Sequence, residues 1–469
     1  MDYYEMTMSN GYFKADANKD YATFDVFYRK NPNGAGYAIF AGLEQIVEYV
    51  NNLHFDKEDI EYFRSQKLFD EEFLTYLESF RFKGDIYAMR EGTIIYPYEP
   101  IISVTAPVID AQLIETAILL QFNHQSLIAT KTNRIVQAAK GKAVSDFGAR
   151  RAHNFDAAVY GARAAYIGGA VGTATVLAGQ TFGIPISGTM AHSWVMYFDS
   201  EYDAFRQYAV TYPDASVFLV DTYDVLKSGI PNAIKVAKEV LEPMGKRLKG
   251  IRIDSGDLAY LSKESRKMLD DAGLTDCIIV ASNSLDEFTI ESLNTQGAKI
   301  DSYGVGERLI TSSSSPVFSG VYKLAAINGV PKIKVSETPE KITNPARKQV
   351  YRVFDMEGKA TADLLALWEE KIDPTKPVKF KDPQMYWKDL EFTGCTFRKL
   401  LEPVFLNGEC VYEKTDVKSI RDYVRYQLDN EIWEEEQRFS NPHMHYLDMT
   451  LDMYETKMRL LEESKKGES

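Results

Sequence analysis

Short apolar runs, each closed by a cluster of polar residues, recur through the middle of the chain. Residues 216–220, 251–253, 277–281 and 302–305 form four such runs, and residues 233–241, 258–272 and 287–295 between them carry apolar side chains at helical spacing. Strand and helix alternating in this order predict a parallel sheet or an α/β barrel. The N-terminal third is less regular, with a strand-like run at 22–28 and a helical stretch at 114–133. Further on, residues 331–335 alternate as a strand does, and 416–461 read as two amphipathic acidic helices separated by Asn441-Pro442.

The polar endings carry the first hint of chemistry. They are Asp221-Thr222-Tyr223, Asp254-Ser255-Gly256-Asp257, Ser282-Asn283-Ser284 and Gly304-Val305-Gly306-Glu307. Ligands of parallel α/β folds sit at the carboxyl ends of the strands, so these clusters are expected on one rim. An earlier apolar run, 183–186, leads into Ser187-Gly188-Thr189-Met190-Ala191-His192-Ser193 and adds a histidine to that rim. The stretch 164–198 has no charged residue and the length of a membrane span. Gly168, Gly169, Gly172, Gly179, Gly183, Pro185 and Gly188 interrupt it, which fits short buried elements instead.

The 469 residues carry a formal net charge of −14. That balance argues against non-specific binding to nucleic acid or a membrane surface, so an anionic ligand needs a local basic site. Lys323, Lys332, Lys334, Lys341, Arg347, Lys348 and Arg352 form such a stretch; it reads either as an anion cradle or as a solvated hairpin. Cys277, Cys395 and Cys410 make no CxxC pair. A disulfide framework or thiolate zinc site is therefore not expected, and a reducing, cytoplasmic setting is. The opening residues MDYYEMTMSNGYF have neither the basic nor the apolar region of a signal peptide.

The segment Asp146-Phe147-Gly148-Ala149-Arg150-Arg151 places two guanidinium groups after an aromatic ring, a combination able to clamp an anion and stack on a ring. Together with GTMAHSW at 188–194, RIDSGD at 252–257, YGVGERL at 303–309 and SGVYKL at 319–324, it closely resembles the nicotinate phosphoribosyltransferase family. The resemblance runs from the segment at 2–8 to Asn441-Pro442-His443, with the motifs in the family's order.

The resemblance implies an irregular α/β barrel of the type II phosphoribosyltransferase kind, with an N-terminal α/β domain and a helical C-terminal extension. The expected division is an N-terminal domain at 1–135 completed by about 325–410, a barrel at 136–324 and a helical segment at 411–469. It also implies transfer of phosphoribose from phosphoribosyl pyrophosphate to nicotinate, coupled to ATP hydrolysis through a phosphohistidine, within NAD biosynthesis. By motif position, His192 is the phosphorylated residue, and Asp221 and Asp254 face the ribose and its Mg²⁺. Phe147 and Arg252 sandwich the pyridine ring, while Arg150 or Arg151 and the hydroxyls of Thr173 or Thr175 contribute to its carboxylate site. Gly304 and Gly306 let backbone amides approach a 5′-phosphate, and Arg29, Lys30, Lys323, Lys334, Lys341 and Lys348 contact pyrophosphate or ATP phosphates. The working unit implied is a homodimer with shared active sites, Tyr4 crossing from the neighbouring subunit.

Two features depart from the family pattern. Met1 stands directly before Asp2, where relatives have several more residues, and Ala346 stands where a PGxK loop has glycine. The amide-using sister family carries an aspartate in its counterpart of residues 172–175. No acid lies there in this chain, which favours a carboxylate ligand. A catalytically dead relative would have lost some of His192, Arg252, Asp254 or the glycines, and all are present.

Overall fold

The computed structural model describes residues 1–465 apart from 384, 386 and 388. Its contacts divide the chain into two compact units, residues 1–127 with 317–469 and residues 128–316.

The second unit is an irregular α/β barrel. Its six strands lie in the order Gly172–Thr173, Ala143–Asp146, Ser302–Val305, Ile278–Ser282, Gly250–Ile253 and Val217–Leu219, every neighbour parallel. The four apolar runs of the regular region all became strands of this sheet. Helices Ile230–Val236, Leu258–Asp271 and Glu287–Thr295 connect consecutive strands. Their N-termini are fixed locally: Asp257 accepts from Tyr260 N, and Asp286 accepts from Thr289 N at 2.8 Å while Arg308 reaches its second oxygen at 2.6 Å. Such caps satisfy amides that the first helical turn leaves open. Small residues let helix and sheet close up. A Cβ on Gly229 would stand 1.9 Å from the carbonyl oxygen of Val220. Phe205, Phe218, Leu219, Ile251 and Ile279 fill the space between them without exposure. One buried ion pair, Lys131 Nζ to Glu287 Oε2 at 2.5 Å, ties helix Glu115–Ala138 to helix Glu287–Thr295.

The first unit is built on two sheets. One has seven antiparallel strands in the order Val330–Pro331, Val321–Ile327, Tyr21–Phe27, Ile102–Pro107, Asp85–Ala88, Glu402–Leu406 and Glu409–Cys410. The other has six, ordered Asp389–Phe392, Val378–Lys381, Tyr446–Thr450, Ala360–Leu367, Lys348–Phe354 and Thr396–Lys399. The pairing of Ala360–Leu367 with Tyr446–Thr450 is parallel. Two expectations are corrected here. The strand predicted at 331–335 ends at Pro331, and the acidic tail holds the strand Tyr446–Thr450 between helices Val417–Tyr426 and Leu451–Lys465.

A buried polar network anchors that unforeseen strand. Arg352 grips Asp363 through two hydrogen bonds at 2.9 and 2.7 Å. His445 lies between Glu436, 3.0 Å from Nδ1, and Asp363, 3.6 Å from Nε2, and stacks on Tyr96 at 3.8 Å. Burial alone would lower the His445 pKa; attraction to Asp363 and Glu436 outweighs it and holds the ring above its ordinary value.

Candidate active site

The rim predicted from the polar strand ends is present in the barrel unit. Asp221 follows Val217–Leu219 and Asp254 follows Gly250–Ile253, the neighbouring strand. Asp221 Oδ2 accepts from the Asp254 amide at 3.1 Å and from the Ser255 hydroxyl at 2.5 Å. Its other oxygen, Oδ1, is buried with no hydrogen-bond partner. On the next strand, Ser282 donates to Asp254 Oδ1. Asp254 Oδ2 then lies 3.7 Å from His192 Nε2, and His192 Nδ1 is 3.1 Å from the Thr222 hydroxyl. The histidine thus meets both aspartates' loops. It opens the helix His192–Tyr197; the run 183–186, read as a strand, supplies only one bridge, Ile186 to Thr173.

Arg252 points from the same strand toward the loop before His192. Nη1 donates to Thr189 Oγ1 at 2.7 Å and Nη2 to the Met190 carbonyl at 3.0 Å, while Nε is buried without a partner. Burial depresses its pKa from the ordinary value, against the pull of Asp254 and Asp221. A desolvated guanidinium whose Nε–H has no partner is ready to meet a ring face or an anion.

Phe147 gives the two glycines a structural reason of their own. A Cβ on Gly304 would stand 2.4 Å from two carbons of the Phe147 ring, and one on Gly306 3.0 Å from the Phe147 carbonyl oxygen. In this structure both positions make room for the aromatic turn. Arg150 and Arg151 follow it and are exposed, Arg151 lying 3.7 Å from Glu307. Thr173 and Thr175 flank Ala174 at the end of the adjacent strand. Sequence reasoning missed Asp146, although it opens the motif. It is buried, accepting from the Gly148 amide and the Thr173 hydroxyl, both at 2.8 Å.

The basic residues belong to the first unit. Lys323 is half-buried, and burial lowers its pKa, with Arg29 and Lys334 near enough to add repulsion against the attraction of Glu115. Arg29 Nε donates to the Glu340 carbonyl at 3.0 Å, next to Lys341, and Lys30, Lys334 and Lys341 are exposed. Lys348 is a correction: its ammonium is buried and donates to Asp25, which occupies it internally. Tyr4 presents an exposed ring on helix Tyr3–Lys14, and partial burial together with Glu115 pushes its hydroxyl pKa up to about 12.

Among the described residues, no group of three or more His, Cys, Asp or Glu side chains is arranged to hold a metal ion. The pair Asp221 and Asp254 still fits Mg²⁺ of the kind that completes its sphere with water and substrate oxygens. It offers hard carboxylate oxygens, one of them the unpartnered Asp221 Oδ1.

The known proteins this chain resembles agree with one another. Models of the nicotinate phosphoribosyltransferase N-terminal domain, family and C-terminal domain match residues 1–123, 142–358 and 347–457 in turn. A nicotinate phosphoribosyltransferase of Bacillus subtilis is 44% identical over 99% of this chain and 95% of its own. The chain belongs to the nicotinate phosphoribosyltransferase family. Another member, from Mycobacterium tuberculosis, is 41% identical over 91% of this chain and 86% of its own. The crystal structure of human nicotinic acid phosphoribosyltransferase superposes with a TM-score of 0.89 at 26% identity, covering 98% of this chain and 99% of that one. No described helix is long and apolar enough to cross a membrane.

Proposed function

We propose that the protein joins nicotinate to phosphoribosyl pyrophosphate, giving nicotinate mononucleotide and pyrophosphate in NAD biosynthesis, with ATP hydrolysis coupled through a phosphohistidine at His192. Membership of the family over nearly the whole chain supports the transfer reaction. The observation that carries the reading of the site is the convergence of His192, at the start of its helix, on Asp221 and Asp254, which follow neighbouring strands, with Arg252 inside one of those strands reaching the loop before the histidine.

In the transfer, the pyridine nitrogen of nicotinate attacks C1′ and the C1′–O bond to pyrophosphate breaks, its electron pair leaving with pyrophosphate. Positive charge grows on the ribose and negative charge on the leaving group, so fixed carboxylates near the sugar and cations near the pyrophosphate favour the transition state. Asp221 and Asp254 take the first role. Arg29, Lys30, Lys323, Lys334 and Lys341 are proposed for the phosphates. Asp221 and Asp254 would also hold Mg²⁺, which when bound neutralises charge on substrate oxygens. Phe147 and the guanidinium of Arg252 flank the pyridine ring, and Arg150 or Arg151 contacts its carboxylate.

With Nδ1 against the Thr222 hydroxyl, Nε2, which faces Asp254 Oδ2 at 3.7 Å, is the nitrogen proposed to attack the γ-phosphorus of ATP, with release of ADP. An imidazole accepts and releases a phosphoryl group readily. The working unit is proposed to be a homodimer in the cytoplasm, with Tyr4 of one subunit covering the ring bound by the other. Incubation of wild type and His192→Ala with γ-labelled ATP tests the coupling. Acid-labile label on wild type alone is expected, and equal label on both proteins rejects the assignment.

A further inference from the structure

Thr173 and Thr175 both lie beside the proposed pyridine site, and counting their hydroxyl hydrogens separates them. Asp146 Oδ1 accepts from the Gly148 amide and Oδ2 from the Thr173 hydroxyl, both at 2.8 Å. The Thr173 oxygen in turn accepts from the Thr175 amide at 3.0 Å. A hydroxyl has one hydrogen to donate. That of Thr173 is used on Asp146. The Thr175 hydroxyl oxygen is buried and has no partner. Asp146 itself is 1% exposed, and both of these hydrogen bonds come from neutral donors.

We propose that Asp146 is a positioning residue that fixes the Phe147 turn with one carboxylate oxygen and Thr173 with the other, leaving Thr175 as the threonine that donates to the substrate carboxylate. The inference rests on nicotinate being the substrate. Through Gly148 the carboxylate orders the turn carrying Phe147, and through Thr173 it pins the amide of Thr175. Backbone bonds hold the same strand end from both sides: Ala174 N donates to the Asp146 carbonyl at 2.8 Å and Ser187 N to the Thr173 carbonyl at 2.9 Å. Burial raises the Asp146 pKa, against the lowering effect of Thr173 and Gly148.

The test compares Thr175→Val, Thr175→Ser, Thr173→Val and Asp146→Asn with wild type. Each is assayed for KM and kcat with nicotinate, with nicotinamide and with phosphoribosyl pyrophosphate. A neutral donor to a charged, largely dehydrated acceptor is worth roughly tenfold or more in affinity. Thr175→Val is expected to raise the nicotinate KM about tenfold, with the nicotinamide and phosphoribosyl pyrophosphate KM values within about twofold of wild type, and Thr175→Ser to restore it. Asp146→Asn and Thr173→Val are expected to raise the nicotinate KM selectively as well. General loss of structure would instead move the phosphoribosyl pyrophosphate KM and kcat together, and overturns the positioning role. A wild type that converts nicotinate while Thr175→Val keeps its nicotinate KM overturns the proposal alone. A wild type that converts no nicotinate overturns the substrate reading first, and the proposal with it.

Discussion

Replacing Lys348 by methionine separates a structural cation from a phosphate contact. Lys348 is 1% exposed and donates to Asp25, which is 4% exposed and has its second oxygen buried without a partner. Asp25 lies on Tyr21–Phe27 of the seven-stranded sheet and Lys348 on Lys348–Phe354 of the six-stranded one, so the pair bridges the two sheets of the first unit. Methionine keeps the stem and removes the charge. The remaining carboxylate then stays buried without its counter-ion, which costs about 3–5 kcal/mol. Replacing both partners, as in Asp25→Leu with Lys348→Met, removes the stranded charge and is expected to return stability to within about 1–2 kcal/mol of wild type. Urea unfolding of wild type, both single variants and the double variant measures the four corners of the cycle. The phosphoribosyl pyrophosphate KM of the double variant is expected to stay within about threefold of wild type. A Lys348→Met protein that loses less than about 1 kcal/mol, or a double variant with restored stability and a greatly raised KM, refutes the internal role.

Three further outcomes follow from particular residues. Ala346 sits at φ +67°, with its amide bonded to the Ala325 carbonyl at 2.8 Å; the left-handed region costs a non-glycine residue about 1–2 kcal/mol, partly offset by glycine's freedom when unfolded. Ala346→Gly is therefore expected to raise the melting temperature by about one to two degrees, and an unchanged or lower value contradicts this. Burial, with repulsion from Lys348, lowers the Lys457 pKa to about 8. Above that pH the folded state has lost a proton that the unfolded chain still binds, so stability rises with pH, by roughly 1–2 kcal/mol up to about pH 9.5, and Lys457→Met flattens the rise in a urea series. Gly304→Ala places a methyl group 2.4 Å from the Phe147 ring, so nicotinate KM is expected to rise about tenfold in a protein whose circular dichroism is unchanged. An unaltered KM contradicts the ring's proposed place in the site.

Four of the six strands of the barrel sheet were legible because they are apolar runs whose polar residues gather where each strand ends, whereas Ala143–Asp146 and Gly172–Thr173 are short and carry no apolar run. Ser302–Val305 and Glu287–Thr295 have the bounds the pattern predicts. The strand Tyr446–Thr450 was hidden because the strands it pairs with lie some seventy to ninety residues earlier and because it is not a plain apolar run: Asp448 is buried within it, and His445 just before it is held by Glu436 and Asp363. No local periodicity reports such a network. Lys348 shows the same limit. A lysine inside a basic stretch looks solvated until its aspartate, more than three hundred residues earlier, is brought against it. The glycine at 304 was visible as a motif member, but the ring it accommodates comes from another strand end. Asp146 could have been found as the acidic first residue of the aromatic motif.

The central claim is transfer to nicotinate driven by ATP, and a product assay tests it most directly. Purified protein is incubated with phosphoribosyl pyrophosphate and Mg²⁺, with nicotinate or nicotinamide, each with and without ATP, and mononucleotide formation is followed. The account predicts nicotinate mononucleotide as the product, at least about tenfold higher catalytic efficiency with nicotinate than with the amide, and a clear gain when ATP is present. Comparable efficiencies for the two pyridines, or a rate indifferent to ATP, would contradict it.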